Sequence, residues 1–80
     1  MSNTITINLN IFERKFLIFL SRQGGVVGLD HYLMKSEVAE ALRTLVAKGA
    51  ITKTSLQGTS KFEYRLTTIG TNLVDLIKDN

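Results

Sequence analysis

Residues 41–70 read ALRTLVAKGAITKTSLQGTSKFEYRLTTIG, and three patterns follow one another within them. Leu42 and Leu45, preceded by Val38 and flanked by Ala41 and Val46, recur at helical spacing, and Lys48-Gly49 supplies the basic residue and glycine that end helices. Ile51 to Leu56 and Lys61 to Leu66 are strand-like runs separated by Gln57-Gly58-Thr59-Ser60, which predicts a hairpin over residues 51–66 with a flexible tip. Alternation in the second run turns Phe62, Tyr64 and Leu66 to a core and Lys61, Glu63 and Arg65 outward, with Lys53 expected to join the outward set. Thr67 or Thr68 then caps a final helix over residues 67–78. Its stripe is Ile69, Leu73, Leu76 and Ile77, with Val74 just off it.

Working back from that stretch, Ser36 is the expected cap of the helix that contains Leu42, with Glu37 in its first turn where the helix dipole favours a carboxylate. A short helix is expected from Leu29 to Met34, and Val26-Val27 as no more than a bridge of extended chain. Gln23-Gly24-Gly25 closes a first helix over residues 11–22. Its apolar stripe is Phe12, Phe16, Phe19 and Leu20, with Leu17 on the flank, and Asn10 with Glu13 three residues later makes a capping box at its start. Ile5, Ile7, Leu9 and Ile11 alternate with polar residues, so residues 1–11 read as an edge strand. The order is strand, three helices, hairpin and helix, an α+β chain in one domain over residues 1–80.

Eighty residues suit one core and not two, since a chain of this size buries only about 60–65 % of its unfolded surface. Hydrophobic residues at 44 % against 21 % charged argue against disorder. With no cysteine, neither a disulfide nor a thiolate metal site can staple the domain. No apolar run approaches the roughly 20 residues that cross a bilayer, and Met1-Ser2-Asn3-Thr4 lacks the basic opening of a secretory signal, so a cytoplasmic or nucleoid location and no membrane partner are expected. The formal charge of +3 is modest, but residues 35–66 hold six of the ten basic side chains and three of the seven acidic ones. The positive excess falls on the segment quoted first.

The junction Ala41-Leu42-Arg43-Thr44-Leu45-Val46-Ala47-Lys48-Gly49-Ala50-Ile51 and the junction Tyr64-Arg65-Leu66-Thr67-Thr68-Ile69-Gly70 resemble those of winged helix-turn-helix DNA-binding domains, in particular the MarR-like and PadR-like regulators. The resemblance covers about Phe12 to Ile77. It implies a recognition helix that enters the major groove and a hairpin wing on the minor groove or backbone. Arg43, Thr44 and Glu40 then become candidates for base contact, Arg to guanine O6 and N7 and Glu to cytosine N4. Lys35, Ser36, Lys53, Lys61 and Arg65 become candidates for the backbone or wing contact. Departures from the pattern are the two glutamates, Glu37 and Glu40, on the recognition helix and a wing tip without arginine. The competing reading of these side chains is an ordinary solvated surface.

The leading expectation is therefore sequence-specific binding of double-stranded DNA by a small transcriptional regulator. The alternative is a winged-helix protein-interaction module in which Glu37 and Glu40 meet a basic partner. A homodimer is expected, joined through the apolar strand Ile5, Ile7 and Leu9 or through Leu73, Val74 and Ile77 of the last helix, because two copies double the site read. No enzymatic activity, cofactor or metal is expected: His31 is the single histidine, and no nucleophile–base set or phosphate-binding glycine loop is present.

Overall fold

The computed structural model describes residues 8–78. Helix α1 spans Ile11–Arg22, strand β1 Val26–Asp30, a 3-10 turn His31–Leu33, helix α2 Ser36–Ala47, strands β2 Ile51–Ser55 and β3 Lys61–Leu66, and helix α3 Thr68–Lys78. The result is a small α+β domain of three α-helices and one three-stranded antiparallel sheet in the order β1-β3-β2.

Local chemistry sets the helix ends. Asn10 Oδ1 accepts from the Glu13 N–H and Glu13 Oε1 accepts from the Asn10 N–H, at 2.8 and 2.9 Å, which is the capping box expected for α1. At the C-terminal end of α2 the Ala50 N–H donates to Leu45 O and the Gly49 N–H to Val46 O, both at 3.0 Å. That pair of bonds turns the chain through a left-handed residue, and Gly49 takes φ +76° there without a Cβ penalty. The same pattern closes α1 through Gly24 and Gly25. Thr67 caps α3 by accepting from the Gly70 N–H at 3.1 Å.

The core joins Phe16, Leu17 and Leu20 of α1 to Leu42 and Leu45 of α2, to Ala50, Ile51 and Tyr64 of the hairpin, and to Val74 and Ile77 of α3. Phe16 meets the Tyr64 ring edge-on at a centroid distance of 6.2 Å. Pairing of Val27 with Tyr64 and of Leu29 with Phe62 places the apolar residues of β1 on this same inner face of the sheet.

Several expectations are corrected here. The bridge at Val26-Val27 continues through Gly28, Leu29 and Asp30 as a full strand, because pairing along β3 outweighs weak local preferences. The short helix shrinks accordingly to the 3-10 turn, capped by Asp30 Oδ1 accepting from the Tyr32 N–H. Leu17, expected on the flank of the α1 stripe, is fully buried, whereas Phe12 and Phe19 are exposed. Ser36 is the first helical residue of α2 and not its cap; its hydroxyl donates to Glu37.

Val74 is 3 % exposed and Ile77 8 %, so both belong to the domain's own core and Leu73 packs against it. Val74 and Ile77 therefore offer little surface to a second copy, whereas Leu73 is only half-buried, with Ile69 and Leu76 exposed beside it. The hairpin tip is held by Thr59, whose N–H and hydroxyl both donate to Leu56 O, and by Ser60, whose hydroxyl donates to Asp30. Of the expected N-terminal strand, Ile5 and Ile7 lie outside the described residues. Leu9 packs against the core in a segment that is neither helix nor strand, and Ile11 opens α1.

The junction between hairpin and α3 is tight. Thr67 N–H donates to Ala50 O, and a Cβ on Gly70 would stand 2.0 Å from that same carbonyl oxygen. In an open helical site, alanine in place of glycine would stabilise by about 1 kcal/mol. Gly70→Ala is instead expected to lower unfolding free energy by about 3 kcal/mol in urea titration, the scale of overpacking. Stability equal to or above wild type would refute this close approach.

Candidate nucleic-acid interface

Helical periodicity divides α2 into faces. Ala41, Leu42 and Leu45 are buried against the core. Ser36, Glu40, Arg43 and Ala47 lie opposite, all exposed, and form a ridge about 16 Å long at the helical rise. Ala39 and Val46 border the ridge on the side of the hairpin, where they line a groove of about 500 Å³ together with Met34, Arg43, Lys53 and Tyr64. Glu37, Thr44 and Lys48 border it on the other side.

That second border is where α2 is fastened to α1. Glu13 is 2 % exposed, the one buried charged side chain among the described residues. Its Oε2 accepts from the Thr44 hydroxyl at 2.6 Å and from Lys48 Nζ at 2.8 Å, while Oε1 accepts from Lys48 Nζ at 3.0 Å as well as from the Asn10 N–H. Lys48 Nζ also donates to Asn8 O at 2.7 Å. Thr44 therefore faces α1 and takes no place on the exposed ridge, which corrects its assignment as a base contact. Sequence reasoning missed the network because the partners lie 31 and 35 residues from Glu13.

Arg43 and Glu40 do share the ridge, and they pair with each other through Nε–Oε1 and Nη2–Oε2 hydrogen bonds. Their side chains are 72 % and 58 % exposed. Exposed ion pairs are worth less than about 1 kcal/mol, so the guanidinium can leave Glu40 for a stronger acceptor at small cost. Lys35 and Ser36 stand at the N-terminal end of the ridge. Glu37 is held below the ordinary carboxylate value by its own backbone N–H and then by the Ser36 hydroxyl, and it stays ionised there.

The three basic residues assigned to the hairpin separate. Lys53 pairs across the sheet with Tyr64, which puts it on the inner face beside α2, its ammonium 4.3 Å from the centre of the Phe62 ring. Arg65 alternates with Tyr64 and so points to the outer face, where it meets Glu63 at 3.1 Å, whereas Lys61, at the start of β3, borders a separate groove beside α1, β1 and the 3-10 turn. One register step decides this, and the expected grouping of all three is corrected. Among the described residues no cluster of His, Cys, Asp or Glu has the make-up of a metal site, and no helix is long and apolar enough to cross a membrane.

No protein-family model, curated protein or solved structure matches this chain.

Burial alone would push the Glu13 carboxyl up, but the bonds from Lys48, Thr44 and Asn10, with the charge of Lys48, outweigh it and hold the group below its ordinary value. A carboxyl depressed in the folded state contributes stability above its unfolded pKa, and that contribution is lost as pH falls through the folded value. Glu13→Gln is therefore expected to lower stability by about 1.5–3 kcal/mol at neutral pH and to flatten the acid limb of the stability–pH curve. Urea unfolding at a series of pH values checks both. Parallel acid limbs for wild type and variant would remove Glu13 as the acid-sensitive anchor.

Proposed function

We propose that the chain is a sequence-specific double-stranded DNA-binding domain of a transcriptional regulator. In this reading α2 enters the major groove, and the hairpin of β2 and β3 lies against the adjacent backbone as a wing. The observation that carries it is the exposed ridge of α2, with Arg43 at its middle and Lys53 facing it across the groove to the hairpin. A helix of this width fits a major groove about 12 Å wide, and the arginine has the bidentate donor geometry that reads guanine. The element order is compatible with a winged-helix layout in which the 3-10 turn replaces the middle helix.

Within this reading Arg43 reads a base, and Glu40 both orients its guanidinium and accepts from a neighbouring cytosine. Ser36 and Lys35 meet phosphate at the start of the ridge, and Lys53 meets the backbone from the hairpin. Arg65, on the outer face, and Lys61, in the groove toward α1 and β1, lie away from the duplex. A ridge this short spans few base pairs, so the proposal includes two copies on a two-fold operator, with α2 helices about one DNA turn apart. On α3, Ile69 and Leu76 are exposed on the same stripe as the half-buried Leu73, and this stripe is the candidate contact between copies.

Random-site selection on duplex DNA followed by anisotropy titrations at several salt concentrations tests the reading. On the selected site Arg43→Ala is expected to lose about 1–3 kcal/mol of affinity and to relax discrimination at one position. Lys53→Ala is expected to weaken all duplexes alike and to reduce the log–log salt slope by about one, whereas Arg65→Ala leaves the slope unchanged. Absence of binding at low salt would exclude duplex DNA. A slope lowered by Arg65→Ala and not by Lys53→Ala would place the duplex on the outer face of the sheet.

A further inference from the structure

Away from the ridge of α2, a second surface joins apolar and basic side chains, of which Lys35 alone also serves the DNA reading. On α1, positions 12, 15, 19 and 22 share one face by helical periodicity, and all four, Phe12, Lys15, Phe19 and Arg22, are exposed. Beside them opens a groove of about 530 Å³ between α1, β1 and the 3-10 turn. Phe16, Leu29 and Val38 line it from the core side, and Phe19, Leu33 and Met34 complete its apolar wall. Leu33 is 84 % exposed, although it borders a groove that could shelter it. Large apolar side chains left in water beside a concave apolar surface mark an interaction site.

Charge narrows the partner. Lys35 and Lys61 line the groove, Lys15 and Arg22 stand along α1, and the one carboxylate lining the groove, Asp30, already accepts from the Tyr32 N–H at 2.9 Å and the Ser60 hydroxyl at 3.0 Å. We propose that this surface docks an acidic amphipathic helix of a partner protein. Its apolar edge fills the groove against Phe19 and Leu33, and its flanking carboxylates meet Lys15, Arg22, Lys35 and Lys61. The stripe from Phe12 to Arg22 runs for about 15 Å, close to three turns of a helix laid along it.

A second copy of this chain fits less well. Among the described residues α2 is the helix with two exposed carboxylates, and it exposes Val46 as its one large apolar side chain. A bilayer surface offers no protruding anchors for a concave site. Arg43 and Lys53 take no part in the proposed docking; Lys35 is the one residue shared with the DNA reading, so the test is placed on Leu33 and Lys61.

The test uses a synthetic helical peptide of about five turns, with Leu and Phe on one edge and Glu on both flanks, and a counterpart with Lys in place of every Glu. Fluorescence anisotropy is expected to show binding of the acidic peptide and none of the basic one. Leu33→Ser and Lys61→Glu are each expected to weaken binding at least about tenfold while Arg43→Ala leaves it unchanged. Both changed residues are exposed, and circular dichroism verifies that the variants fold. Failure of the acidic peptide to bind at low salt, equal binding of the two peptides, or indifference to both substitutions would overturn the proposal. So would loss of a dimer on Leu33→Ser in sedimentation, which would assign the surface to a second copy. Displacement of the peptide by anionic phospholipid vesicles, abolished by Leu33→Ser, would assign it to a membrane.

Discussion

Glu13 is a carboxylate on the first helix whose two oxygens accept from a backbone N–H at position 10, a hydroxyl at position 44 and an ammonium at position 48. A buried carboxylate without such partners would be strongly unfavourable, so its burial and the placement of α2 stand or fall together. The same residue completes the cap of α1. One side chain thus fixes where α1 begins and which edge of α2 is turned toward it, and by exclusion it fixes which edge of α2 remains outside.

The exterior follows from that constraint. With Thr44 and Lys48 committed to Glu13 and Leu42 and Leu45 to the core, the ridge left on the outside of α2 is Ser36, Glu40, Arg43 and Ala47, with Glu37 and Val46 exposed on its two flanks. Grooves open on both sides of the start of the helix and share Met34 as a wall. The groove toward the hairpin contains Arg43 and Lys53; the groove toward α1 and β1 contains Leu33, Lys35 and Lys61. Burial of Tyr64 at the base of the first groove raises its phenol above the ordinary value, and its ring ties the hairpin's inner face to Phe16 of α1.

What is legible in the sequence is mostly what is local. The Asn10–Glu13 box, the glycine-terminated ends of α1 and α2, the cap at Thr67 and the hairpin around Gly58 each depend on residues within about five positions, and all of them are present. The strand from Val26 to Asp30 is not legible beyond its first two residues, because Gly28 breaks the local pattern and only β3 reveals the pairing. Lys53 lies on the face opposite to the one expected because period-2 alternation does not say which residue of one strand stands opposite which of the other. Val74 and Leu17 depart from expectation for a related reason: in a domain this small more than one stripe of a helix is covered, α1 by both other helices and the sheet. Of the candidate site, Arg43, Glu40 and Ser36 follow from their positions on α2, whereas the role of Thr44 depends on a carboxylate 31 residues away.

The central claim is that the ridge of α2 and the inner face of the hairpin form one nucleic-acid-binding surface. Amide chemical-shift mapping of the isotopically labelled protein with a short duplex at low salt tests it most directly, since it reads the position of contact whatever the operator sequence. The account predicts that the largest changes fall on residues 35–47 and around Lys53, while Phe19, Leu33 and the outer-face residues Glu63 and Arg65 stay in place. Changes centred on the α1 and β1 groove, or no changes at any duplex concentration, would contradict it.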